Sequence, residues 1–340
     1  MTAARPKVVV SSRVEPGSLE PLAGRAELVV NEAAEPWPRG ALLARAADAY
    51  GLIAFMTDSI DEALLQACPA LRIVAGALKG HDNLDAGACS RHGVWLTVVP
   101  DLLTEPTADL AVGLLLALSR NLVEGDRLVR GGGFAGWRPQ LYGRGLAGAT
   151  VGLLGMGAVG RAIARRLTGF GCRLAYADPR PLPAEEARAL GAERGSPESL
   201  AAGSDVLILA LPLTAATAGL VGRRFLERVR PGCLLVNPAR GSLVDEEAVA
   251  DALESGRLGG YAADVFAFED RARPGRPEGI PPRLLADGRR TVLTPHLGSA
   301  VAALRREIVA EAARNILDCL EGRVPRGAVN APEPRTGALP

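Results

Sequence analysis

Three charged residues in the second half of the chain each follow a short apolar run. Arg240 comes after LLVNPA, within NPARGSLVDEEAV; Glu269 lies just beyond YAADVF; His296 follows TVLTP, within TPHLGSA. If those runs are strands of an open α/β sheet, their carboxyl ends face the ligand crevice and the three side chains converge there. The planar fork of an arginine grips an anion. An imidazole moves a proton near neutral pH. A carboxylate beside it orients the ring and favours its charged form. Alone, each is more commonly a surface ion pair or a loop histidine. The choices are few, because the only histidines are His81, His92 and His296, and of 39 basic residues only Lys7 and Lys79 are lysines. His81 and His92 read as structural.

What would react beside these groups is indicated by residues 150–178, TVGLLGMGAVGRAIARRLTGFGCRLAYAD. An apolar run meets Gly155-Met156-Gly157-Ala158-Val159-Gly160, then a helical pattern, then a second apolar run ending in Asp178. A lone GxGxxG carries little weight in a chain with 40 glycines. Between a strand and a helix each glycine has a mechanical reason. Gly155 permits a tight turn, Gly157 lets the backbone approach a pyrophosphate, and Gly160 lets the helix pack closely. The helix N-terminus suits phosphate, and Asp178 is placed to accept hydrogen bonds from ribose hydroxyls. The cofactor expected is NAD, since a carboxylate repels a ribose 2′-phosphate; Arg180 nearby softens that preference. An arginine, a carboxylate and a histidine beside a nicotinamide make a hydride-transfer site.

The elements that must position these residues form two alternating series. The first has strand candidates at residues 7–11, 27–30, 52–56, 72–78 and 94–98, with helical segments such as 61–67 and 85–92 between them. Residues 107–131 read as one long apolar helix. The second series has strand candidates at 151–154, 174–177, 206–211, 234–237, 261–265 and 292–294, with helices at 161–170, 225–229 and 245–255. Residues 299–321 read as a final amphipathic helix, and 325–340 as a proline-rich, loosely ordered tail. The pattern predicts an α/β chain of two doubly wound domains with ligands in the cleft between them. A length of 340 residues and 48% hydrophobic content allow two cores.

A formal net charge of +1 with interspersed signs gives no reason to expect nucleic acid or an anionic membrane surface as partner. No apolar run approaches the roughly 20 residues that span a bilayer, and the first residues lack the pattern of a signal peptide. The five cysteines are scattered, without metal-ligand spacing, so no metal is expected and a reduced, cytoplasmic protein is.

GMGAVG with Asp178, LPLTAAT, NPARGSLVDEEA, AADVF with Glu269, and TPHLGSA together resemble the D-isomer-specific 2-hydroxyacid dehydrogenase family over nearly the whole chain. The resemblance implies a Rossmann NAD-binding domain, residues 104–297, inserted in a flavodoxin-like substrate domain made of residues 1–103 and 298–328, with 329–340 as a flexible tail. It implies a homodimer. It makes Arg240 the ligand of the substrate anion, His296 the acid/base and Glu269 its partner. It places Thr107, Ala210, Leu211, Pro212, Pro238, Ala239 and Asp264 along the cofactor, the last near the nicotinamide carboxamide.

Within the family the chain is most similar to the phosphite (phosphonate) dehydrogenases, through AFM at 54–56 and residues 71–89, 93–114, 136–146 and 259–266. Relatives acting on hydroxy acids usually have a small residue where Lys79 stands. A second cation beside Arg240 suits dianionic phosphite, unless Lys79 merely pairs with Asp82 or Asp85. NAD-dependent oxidation of phosphite to phosphate is therefore expected, with water as nucleophile. Met56 either points into the crevice or fills core. Tyr142 and Trp137 either seal the site or pack in the dimer. Ser299 approaches the substrate by resemblance, and Arg305 does so or is solvated. Arg271, where an aromatic is usual, and Ala239, in place of a cysteine, depart from the pattern. The alternatives are a 2-hydroxyacid dehydrogenase acting on glyoxylate, hydroxypyruvate or phosphoglycerate, and an NAD-sensing corepressor that binds partner peptides.

Overall fold

The computed structural model describes residues 4–99 and 101–332. The chain divides into two compact units, one of Met1–Leu103, Arg271–Pro274 and Ser299–Pro340, the other of Thr104–Asp270 and Gly275–Gly298.

The first unit is built on five parallel strands: β1 (Lys7–Val10), β2 (Glu27–Val30), β3 (Gly51–Ala54), β4 (Ile73–Gly76) and β5 (Trp95–Thr97), ordered β2-β1-β3-β4-β5. Central strands buried on both faces need continuous apolar runs, and β3 and β4 are wholly buried. One face is covered by the helix Ala302–Leu320, whose Ile308, Val309, Ala312, Ala313 and Ile316 pack with Val8, Val10, Ile53 and Ile73. The strand order reverses between β1 and β3, the flavodoxin-like switch point.

The second unit has seven parallel strands: β6 (Thr150–Leu154), β7 (Arg173–Ala177), β8 (Ala192–Arg194), β9 (Val206–Leu209), β10 (Cys233–Asn237), β11 (Leu258–Ala263) and β12 (Thr291–Leu293). Their order, β12-β11-β10-β9-β6-β7-β8, is that of a dinucleotide-binding sheet with its switch point between β6 and β9. Thus both units are doubly wound, as the alternation predicts. The helix Thr104–Ser119 buries Ala108, Ala111, Leu115 and Leu118 in the same cluster as Ala162, Ile163 and Leu167 of the helix Ala158–Leu167.

Three local expectations change. Residues 107–131 are two helices, Thr104–Ser119 and Leu122–Arg130, bent by 63°. The break is Asn121, at φ 53° in the left-handed region that asparagine tolerates. Its side-chain amide donates to the carbonyls of Leu141 and Tyr142 at 3.1 and 3.3 Å, while the Arg144 N–H caps Ser119 O. β8 has no counterpart among the expected strands, being short, polar and at the sheet edge. Residues 325–330 are fastened rather than loose: Thr97 and Ala328 form an antiparallel bridge, and Asn330 receives the Leu96 N–H and donates to Val94 O. The rest of the expected tail, from 333 onward, lies outside the described residues. Among the described residues no single helix is long and apolar enough to cross a membrane.

Candidate active site

The glycine turn after β6 is shaped by what it excludes. Gly155 sits at φ +99°, and a Cβ on it would collide with the Ala210 carbonyl that follows β9. A Cβ on Gly160 would strike Gly155 O, so this glycine sets how closely the helix approaches the turn. Gly157 has open space around it and is the N-cap of Ala158–Leu167, with no side chain to cap the first-turn N–H groups. The N–H donors of the turn carrying Ala158 and Val159 thus meet an uncrowded surface, as a pyrophosphate requires. Asp178, just past β7, accepts the Met156 N–H with Oδ2 and the Arg180 N–H with Oδ1, both at 2.9 Å. It ties the turn to β7 and keeps lone pairs for ribose hydroxyls. These residues fit a dinucleotide. Beyond β9, Ala210 donates to Leu154 O, and the Thr217 hydroxyl fastens Pro212 O next to Leu211.

The reacting candidates come from the loops after β10, β11 and β12. Past β10, Asn237 shapes the Pro238-Ala239 turn by accepting the Ala239 N–H and donating to Arg240 O at 2.9 Å. Arg240 is extended and partly buried, at the start of the 3-10 turn Gly241–Leu243. A Cβ on Gly241 would overlap the backbone of Phe266 and Ala267, so this glycine lets the Arg240 turn lie against the turn Ala267–Glu269. Two carboxylates staple the pair. Asp270 Oδ2 accepts the Ser242 N–H at 2.7 Å, and Glu246 Oε1 accepts the Ala267 N–H at 2.8 Å.

Glu269 spans two partners. Oε1 accepts the Phe266 N–H at 2.7 Å, and Oε2 lies 2.9 Å from His296 Nδ1. That bond fixes the ring and leaves Nε2 as the atom that can exchange a proton with a substrate. His296 has φ +57°, a conformation that costs a non-glycine residue roughly 1–3 kcal/mol. Asp264 holds it there. Asp264 O accepts the His296 N–H, Oδ1 accepts from Thr294 Oγ1 and the Leu297 N–H, and Oδ2 accepts the Gly298 N–H. Burial raises the Asp264 carboxyl above its usual range even against these bonds. Thr107 Oγ1 donates to Gly298 O at 3.3 Å, joining the same loop.

Sequence reasoning named Arg240, Glu269, His296, Asp264 and Thr107, and the structure gathers them in the second unit. It missed Gly241, Asn237, Asp270 and Glu246. Gly241 carried a signal, a glycine directly after the arginine. Nothing in the sequence separates buried Glu246 from exposed Glu247.

The remaining candidates lie elsewhere. In the first unit, Lys79 follows β4, and burial lowers its ammonium pKa against the raising influence of Asp101. Met56 follows β3 and packs, partly buried, against the core beneath it. Ser299 Oγ accepts from Arg305, whose partly buried guanidinium lies 5.8 Å from the Phe55 ring centroid, so Arg305 is not a fully solvated charge. Arg271 faces Asp58 in that unit. In the second unit, Tyr142 is 78% exposed and Trp137 86%.

Comparison with known proteins fits this geometry. Residues 112–298 match the model of the D-isomer specific 2-hydroxyacid dehydrogenase NAD binding domain. The chain is 36% identical to the glyoxylate reductase of Pyrococcus furiosus and 38% identical to that of Aeropyrum pernix, over 96% of this chain and 96% of each relative. Among solved structures it is similar to an NADPH-dependent glyoxylate/hydroxypyruvate reductase from Sinorhizobium meliloti in complex with NADP and malonate. The TM-score is 0.84 at 32% identity, covering 99% of this chain and 100% of that one. These three are named as glyoxylate or glyoxylate/hydroxypyruvate reductases, not for phosphite. With its cofactor cradle and both sheets accounted for, the chain belongs to the D-isomer specific 2-hydroxyacid dehydrogenase family, an oxidoreductase family, and carries its NAD-binding domain.

Proposed function

We propose that the protein reduces a short 2-oxo acid of the glyoxylate or hydroxypyruvate class to the 2-hydroxy acid, with the reverse oxidation at high pH. The observation behind this reading is the His296–Glu269 hydrogen bond, held against the Arg240 turn within the unit that binds NAD. A reduced nicotinamide cofactor, held by the glycine turn after β6 and Asp178, would supply the hydride for the carbonyl carbon. Arg240 pairs with the carboxylate of the substrate and orients its carbonyl. His296, protonated, gives its Nε2 proton to the carbonyl oxygen as that oxygen gains charge. Glu269 holds Nδ1 and stabilises the imidazolium. Reduction therefore needs protonated His296 and falls as pH rises; oxidation needs the neutral ring. Assembly as a homodimer in the cytoplasm belongs to the same reading, with the exposed Leu122, Val129, Phe134 and Trp137 as the apolar surface that dimerisation would cover.

A second reading is favoured by one residue. Lys79 is a partly buried lysine in a chain whose basic residues are otherwise nearly all arginine. A second cation is what a dianionic substrate calls for. In phosphite oxidation, His296 would take the proton of the water that attacks phosphorus, and NAD held at the glycine turn would serve as the hydride acceptor. The test is NADH consumption with glyoxylate and hydroxypyruvate beside NADH formation from NAD with phosphite. Turnover of the 2-oxo acids, with phosphite silent, supports the first reading. Turnover of phosphite, lost in Lys79→Ala, would replace it with the second.

A further inference from the structure

The turn that presents Glu269 is held from behind by another acid. Glu246 opens the helix Glu246–Glu254 and is 5% exposed, between exposed Asp245 and Glu247. Its Oε1 accepts the N–H of Ala267, the first residue of the turn that ends at Glu269. Its Oε2 is buried and, among the described residues, has no hydrogen-bond partner. An ionised carboxylate with one oxygen so placed is costly, and a protonated one less so.

The groups around Glu246 point the same way. Asp245 is the N-cap of its own helix, Glu269 and Asp270 face it from the turn, and the buried phenol of Tyr261 faces it from β11. Arg223 and Arg283, from the helices Arg223–Leu226 and Pro282–Ala286, pair with Asp251, Glu247 and Glu254 along the same helix. Burial first, then Asp270, Glu269 and Asp245, push the Glu246 carboxyl up to about 7, against the lowering by the Ala267 N–H.

We propose that Glu246 is a positioning residue of the reaction centre: it holds the Ala267–Glu269 turn through the Ala267 N–H, and release of its proton adds a charge that the Glu269–His296 pair feels. This rests on the reading of Glu269 and His296 given above. Ionised Glu246 places negative charge behind Glu269 and lets the imidazolium persist to higher pH. Glu246→Gln keeps the shape and an oxygen acceptor for Ala267 but stays neutral.

The experiment follows the histidine ring signals by NMR across pH in the parent and in E246Q, without cofactor or substrate. The His296 signal is assigned by its loss in H296Q. The expected result is that His296 titrates about half a pH unit lower in E246Q, with His81 and His92 unmoved. Superimposable His296 curves would overturn the charge coupling. Glu246→Ala separates the positioning role: kcat falls about tenfold with KM little changed, and E246Q recovers most of the loss on the acid side of the profile. A folded E246A with parental kcat would overturn it. The titration needs no turnover, so its outcome stands apart from whether the substrate class is right.

Discussion

The second unit solves two positioning problems in opposite ways. The turn after β6 works by leaving things out: Gly155 and Gly160 have no room for a Cβ, Gly157 has room but presents bare backbone, and one acid, Asp178, ties the turn down. The turns after β10 and β11 work by filling in. Glu246, Asp264, Glu269 and Asp270 each spend a carboxylate oxygen on a backbone N–H, and one glycine, Gly241, permits the contact. A phosphate is recognised by N–H groups, so its cradle must keep them open. A proton is moved by one atom of one ring, so its site must hold that ring in place, and it uses N–H groups as anchors.

The sharpest test of this contrast acts on the ring itself. His296→Gln should lower kcat about a thousandfold with KM nearly unchanged, and the pH dependence of the residual rate should lose the limb set by the imidazole; a retained limb would refute the assignment. Next comes the filled side. Gly241→Ala forces a Cβ into the Phe266–Ala267 backbone, and should cost about a hundredfold in kcat/KM by separating the Arg240 and Glu269 turns, while NADH affinity in a fluorescence titration stays near the parent's. On the open side, Gly155 and Gly157 should part company. Gly155→Ala meets both a positive φ and the Ala210 carbonyl, and should lose roughly 2–3 kcal/mol of stability in denaturant unfolding. Gly157→Ala fits without a clash and should leave Tm unchanged while weakening NADH binding about tenfold. Equal Tm losses in the two variants would erase the distinction between a folding glycine and a ligand glycine.

A further effect is in stability against pH. The folded-state pKa of Glu246 is raised from 4.5 to about 7. Its contribution is therefore fully present below about 4.5 and lost as pH rises through about 7. Melting curves between those limits should show the parent losing stability relative to E246Q as pH rises. Parallel curves would mean that Glu246 does not take up a proton on folding.

The difference between the two regions also decides what the sequence could reveal. Gly155 and Gly160 are legible because neither has room for a Cβ, Gly157 because a pyrophosphate needs bare backbone there, and all three because they sit between a strand and a helix of recognisable pattern. Arg240, Glu269 and His296 are legible because strand ends locate them. Their supports are not: Glu246 and Glu247 are adjacent identical residues, and only the packing of the helix against β11 decides which is buried. The break at Asn121 was hidden for a similar reason. The groups that receive its side chain, the carbonyls of Leu141 and Tyr142, come from a segment well along the chain. Lys79 shows the opposite hazard: conspicuous by composition, it drew the reading toward phosphite, whereas the similar proteins named above are glyoxylate reductases.

The fastening of residues 327–330 reaches beyond the fold of the first unit. β5 is the outermost strand on its side of the sheet, and an uncovered edge is a template on which a strand from another molecule can add. Gly327 O receives the Val98 N–H, the Val329 N–H goes to Leu96 O, and Asn330 occupies the Leu96 N–H. Those few residues cover the edge with two backbone hydrogen bonds and one side-chain amide, which leaves fewer of its N–H and C=O groups open to an incoming strand.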